Sequence, residues 1–72
     1  MEKRFYNIYF LQQGGFLRKI KTAVITVSFK GFLFPGIAQK TLLNTYGKNC
    51  LVTSVVEISP EEAQNYNVSE II

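Results

Sequence analysis

The sequence predicts an α+β fold: a small β-β-α-β domain with a three-stranded sheet, one helix packed on one face and a short C-terminal helix. Three observations predict it. Residues 22 to 29 alternate with the period of a strand, residues 37 to 46 carry a helical period between a proline and a glycine, and residues 50 to 58 form a β-branched run ending at a Ser-Pro helix start.

In chain order, Phe5-Tyr6-Asn7-Ile8-Tyr9-Phe10-Leu11 is aromatic and β-branched with one polar interruption. It runs into Gln12-Gln13-Gly14-Gly15, which reads as a strand followed by a turn. The next strand places Ala23, Ile25, Val27 and Phe29 on one face and Thr22, Val24, Thr26 and Ser28 on the other. Setting Ile8 opposite Ile25 brings Tyr6 to Val27 and Phe10 to Ala23, so both apolar sets share a face. That register implies a loop of about ten residues, Gln12 to Lys21. A tighter hairpin turning at Gly14-Gly15 would set Lys19 and Lys21 opposite Phe10 and Ile8 and would have to project beyond the core as an arm. Either way, Phe16-Leu17-Arg18-Lys19-Ile20-Lys21 forms an exposed basic and apolar tip.

Phe32-Leu33-Phe34-Pro35-Gly36 interrupts the strand pattern, and Ile37 to Tyr46 reads as a helix with Pro35 near its first turn and Gly47 as its cap. Ala38, Leu42 and Tyr46 share one side of that helix, Ile37 and Leu43 flank it, and Lys40 and Asn44 lie opposite. After the turn Gly47-Lys48-Asn49, Cys50 to Ile58 is a third strand with Cys50, Val52, Val56 and Ile58 on one face. Ser59-Pro60-Glu61-Glu62 has the form of a capped helix start, and Val68 to Ile72 reads as a frayed tail or a flap over exposed sheet.

A helical crossover lays the third strand beside the first and, in this reading, parallel to it. The helix then covers Tyr6, Ile8, Phe10, Ala23, Ile25, Val27, Val52 and Val56. Phe5, Tyr9, Leu11, Val24, Leu51 and Val55 fall on the other face, which one helix cannot also cover. That face must meet the C-terminal segment, another copy or a partner.

The 72 residues suit a single small domain, 1-72, near the lower limit for a chain that folds without disulfides or metal. A hydrophobic content of 47% with 14% aromatics argues for a folded chain. There is no His, Asp or Trp, and Cys50 is the one cysteine, which leaves almost nothing for acid–base, nucleophilic or zinc chemistry. Cys50, in a Val-rich run, reads as a small buried hydrophobe. Adjacent helical positions point about 100° apart, and the capping role already explains Glu61 and Glu62, so they are not read as a carboxylate pair. Gly14-Gly15 lacks the following Lys-Ser or Lys-Thr of a phosphate loop and reads as a turn. The expectation is therefore a protein that is not an enzyme, with no cofactor, no metal and no small-molecule substrate. No run approaches the length of a membrane span, which suggests a cytoplasmic location.

All eight basic residues lie in the first 48 positions, and four of the five Glu in the last 24, for a net charge of +3. Val24 to Ile58 loosely resembles the many short proteins encoded on bacterial phages and mobile elements, in which two strands, a helix ending in Tyr-Gly and a Val-rich strand make up most of the chain. The acidic, Ala-rich helix common in that group is absent here, and no function is carried over from it.

Two readings of function follow. The first is a binding protein acting through a protein-protein interface, with Phe5, Tyr9, Leu11 and Val24 as the contact surface and a homo-oligomer as one natural form. The alternative is a small basic nucleic-acid-binding protein using Lys3, Arg4, Phe16, Arg18, Lys19 and Lys21, because cations interleaved with an aromatic ring suit phosphates and unstacked bases.

Overall fold

The computed structural model describes residues 2–14, 19–47 and 49–71. Among them the chain forms β1 (Lys3–Gly14), β2 (Lys19–Lys30), α1 (Pro35–Tyr46), β3 (Cys50–Ile58), α2 (Pro60–Ala63) and β4 (Val68–Glu70). The α+β class holds, but the sheet has four strands, in the order β3-β1-β2-β4.

The β1–β2 ladder carries Ile8 opposite Ile25, Tyr6 opposite Val27 and Phe10 opposite Ala23, the register that the shared apolar face requires. The expected ten-residue loop is absent. Pairing continues through Gln12↔Lys21 to Gly14↔Lys19, so the two strands themselves make the arm and only residues 15–18 connect them. Lys19 and Lys21 lie on the core face opposite Gly14 and Gln12, not opposite Phe10 and Ile8 as the tighter hairpin would set them, and both are exposed beyond the core.

β3 runs antiparallel to β1, not parallel as the sequence suggested. The reason is directional. A 12-residue helix carries the chain about 18 Å, back from the Lys30 end of the hairpin to its Gly14 end. From there a strand can run only toward the Lys3 end, against β1 and parallel to β2 with β1 between them.

A second correction concerns the faces of β3. Tyr9 pairs with Ser54 but Phe10 with Val52, leaving Thr53 as the extra residue of a bulge, whose hydroxyl donates to the Tyr9 carbonyl at 3.0 Å. One extra residue inverts the alternation beyond it. Cys50 and Val52 therefore share the core face with Val55, while Val56 and Ile58 lie on the other; the sequence reading set Val56 and Ile58 with Cys50 and Val52, and Val55 opposite them.

The core consists of Tyr6, Ile8, Phe10 and Val27 from the sheet, Ala38 and Leu42 from α1, Leu33 from the connection and Cys50 from β3, all buried. The α1 stripe is the expected one, with Tyr46 stacked on Phe10 at a centroid distance of 5.6 Å. The Tyr6 hydroxyl donates to the Gly31 carbonyl at 2.6 Å, fastening the β2–α1 connection to the central strand. Gly31 and Gly47 have φ of 105° and 89°, a backbone region that side-chain-bearing residues avoid, and Gly47 closes α1 through its N–H to the Leu43 carbonyl.

After β3 the chain turns onto the opposite face. Ser59 accepts from the Glu62 N–H at 3.1 Å and starts α2 as its sequence indicates. The tail then forms β4, parallel to β2 through Thr26↔Val68, Val27↔Ser69 and Ser28↔Glu70. The expected frayed tail or flap is thus a fourth strand satisfying part of an open sheet edge.

Two urea-denaturation comparisons test this packing. Ile8→Ala is expected to cost about 4 kcal/mol, as removal of a fully buried branched side chain does. Val55→Ser should cost about 2 kcal/mol and Val56→Ser less than about 0.5 kcal/mol, because the bulge packs the half-buried Val55 against the core and leaves Val56 exposed. Equal losses at the two valines would contradict the bulge.

Candidate functional site: the half-covered sheet face

The sheet face opposite α1 is built from the odd residues of β1, the even residues of β2 and their β3 partners. It is divided across its middle. At the Lys3 end, α2 and the turn after it lie over the strands: Ala63 is buried, and Phe5 lines a recess with Pro60, Ala63, Tyr66 and Asn67. Beneath this cover are three polar side chains, Asn7, Thr26 and Ser28, each no more than 6% exposed. The Thr26 hydroxyl donates to the Asn7 carboxamide oxygen at 2.7 Å, so the central polar pair of the face is satisfied internally.

Toward the arm the cover ends. Tyr66 and Asn67 border a depression shared with Asn7, Tyr9, Val24 and Thr26, and past it no segment among the described residues overlies the sheet. Tyr9 is 40% exposed, Val24 50%, Leu51 60% and Ile20 67%. Cross-strand pairing makes these a continuous surface: Tyr9 lies opposite Val24, Leu11 opposite both Thr22 and Leu51, and Gln13 opposite Ile20. Leu11, half-buried, sits at its centre, and a depression of about 370 Å³ opens between Leu11, Ile20 and Leu51. Solvated faces of antiparallel sheets are ordinarily polar; here Tyr9, Val24, Ile20 and Leu51 stand exposed among the polar Gln13, Thr22 and Ser54, while Asn7, Thr26 and Ser28 are buried under the cover.

Of the four contact residues named from sequence, Tyr9, Leu11 and Val24 therefore share the bare surface, whereas Phe5 is half-buried beside α2. Leu51, Ile20 and Val56 join it. Leu51 was legible from its place on the second face and Ile20 from its alternation with two lysines. Val56 was hidden by the bulge.

Among the described residues, the basic side chains named from sequence fall at opposite ends of the hairpin, Lys19 and Lys21 on the arm and Lys3 and Arg4 far from it. Lys3 pairs with Lys30 at one end of the hairpin, while Lys19 pairs with Gly14 at the other, eleven ladder steps or about 37 Å away. The molecule is 41 Å in its longest dimension. Arg4 is engaged with Glu57 at 3.7 Å. Phe16 and Arg18 lie outside the described residues.

A second apolar spot, not anticipated from sequence, precedes α1. Phe32 and Phe34 flank the buried Leu33 and meet edge to face at 4.8 Å, both largely exposed. Three large apolar residues in a row within a connection were the available signal, since alternate residues cannot all point inward. Among the described residues, no helix is long and apolar enough to cross a membrane and no three Cys or Glu residues cluster as metal ligands would. Comparison with protein-family models, with curated proteins and with solved structures found no match for the chain.

Proposed function

We propose that this is a non-enzymatic binding protein acting through a protein interface, formed by the bare half of the sheet face and engaged by a second copy of the chain. The observation that carries this reading is the jump in exposure along one face, from 6% or less at Asn7, Thr26 and Ser28 to 40% or more at Tyr9, Val24, Leu51 and Ile20. Tyr9 and the aliphatic residues around Leu11 give this surface the aromatic and apolar composition of an interface core.

The shape supports a second copy. α2 and the turn after it make one half of the face thick, and the arm half is thin. Two such steps fit when the copies face each other with their strands reversed, each thin half against the other thin half and each arm reaching the partner's thick end. A two-fold arrangement of this kind uses the same patch twice. The alternative of nucleic-acid binding has less support, because cations 37 Å apart (about the full hairpin length) do not form one phosphate-binding surface.

Sedimentation equilibrium tests this reading. The native chain is expected to rise with concentration from 8.2 kDa toward twice that mass. Leu51→Glu should weaken the association by about 3 kcal/mol, on the order of a hundredfold, by burying a charge without a partner. Circular dichroism should be unchanged, since Leu51 is 60% exposed. A native chain that stays at 8.2 kDa at millimolar concentration would overturn the reading. Reversing charge at Lys19 and Lys21 should leave the association intact and remove any salt-dependent shift with a short oligonucleotide; loss of association in that variant would instead place the interface on the arm's core side.

A further inference from the structure

β3 is the outer strand on its side of the sheet. It contains no Pro, Lys or Arg, the residues by which exposed strands commonly deter pairing with another chain. Its backbone is nonetheless occupied by a side chain from α1. The Gln39 amide nitrogen donates to the Cys50 carbonyl at 2.8 Å, and its amide oxygen accepts from the Val52 N–H at 2.8 Å. A backbone N–H has one proton, so the Val52 N–H is directed to Gln39 and away from β1. Both groups belong to the strand's outer side.

The pattern of these two bonds is specific. In a parallel sheet, one residue of the added strand donates to the carbonyl of the residue before its neighbour and accepts from the N–H of the residue after it. Gln39 does this around Leu51, donating to Cys50 and accepting from Val52. We propose that Gln39 is an edge guard: its carboxamide takes the place of one residue of an added parallel strand and denies the outer edge of β3 to a strand from a second copy.

The rest of the edge carries other deterrents. Thr53 interrupts regular spacing with its bulge, and Glu57 with Arg4 places charge at the far end. Cys50, Leu51 and Val52 are uncharged and adjoin the bare face, so without Gln39 they would offer an apolar, hydrogen-bonding template. On the opposite side of the sheet, β4 pairs with Thr26 to Ser28, and the stretch beyond it toward the arm tip bears Lys21 and Lys19. Guarding β3 thus confines association to the face of the sheet, whichever partner that face receives, and the inference stands independently of the proposed dimer.

The test uses the Tyr9→Glu chain as a background in which the bare face is disabled, comparing it with the same chain also carrying Gln39→Ala. The double variant is expected to grow in mass with concentration well beyond the single variant and to bind thioflavin T. A folded double variant with the same mass as the single variant at every concentration would overturn the proposal. Hydrogen exchange of the native chain supplies a measurement that needs no variant to fold. The Val52 amide should exchange at least about tenfold more slowly than an unstructured amide despite facing outward from an outer strand. Exchange of that amide at the unstructured rate would overturn it equally.

Discussion

β1 is apolar on both of its faces, and the arrangement of every other element answers to that constraint. Tyr6, Ile8 and Phe10 point to one side, Phe5, Tyr9 and Leu11 to the other, and Asn7 alone interrupts the second set. Such a strand is stable only at the centre of a sheet with cover on both faces. β2 and β3 therefore flank it, and α1 helps to bury Tyr6, Ile8 and Phe10 on the first face. The Tyr6 hydroxyl on Gly31 and the stacking of Tyr46 on Phe10 tie the two ends of the helical crossover to this same strand. The second face receives α2, a four-residue helix, and the turn after it, which among the described residues reach only as far as Asn7 and Thr26. The bare apolar half is the unpaid remainder of a constraint set by β1.

That remainder is placed beside two devices that limit how another molecule can approach. The hydrogen-bonding edge of β3 is occupied by Gln39 near the bare face, interrupted by the Thr53 bulge, and charged at Glu57. The projecting part of β2 alternates Lys19 and Lys21 with Ile20, so its lysines stay on the side of α1 and its isoleucine extends the apolar face. Edge pairing and face pairing are alternative routes to association for any small sheet protein, and the distribution of side chains here opposes the first while leaving the second open.

Much of the fold was legible in the sequence where a period ran long enough to be read. The alternation of Thr22 to Phe29 located β2 and its register with β1, the Ala38–Leu42–Tyr46 stripe located α1, and the Ser59-Pro60 start located α2. Features resting on a single residue or on distant contacts were not legible. Thr53 supports no local signal that it is a bulge, yet it exchanges the faces of Val55 and Val56. Val68 to Glu70 is too short for periodicity and becomes a strand because the edge of β2 is available beside it. The direction of β3 follows from the length of α1 rather than from the residues of β3. The bare surface was legible in outline, as a second apolar face, but its boundary was not. That boundary is set by where α2 stops, and Phe5 falls on the covered side of it.

The central claim, that the bare half-face is where the protein is engaged, is tested most directly by methyl NMR of the native chain with a soluble paramagnetic agent at rising protein concentration. Relaxation enhancement at the methyl groups of Ile20, Val24, Leu51 and Val56 should fall as concentration rises, while that of Ile37 and Leu43, also exposed but on α1, stays constant. Loss of enhancement on α1 with the sheet-face methyls unchanged would contradict an interface on this face.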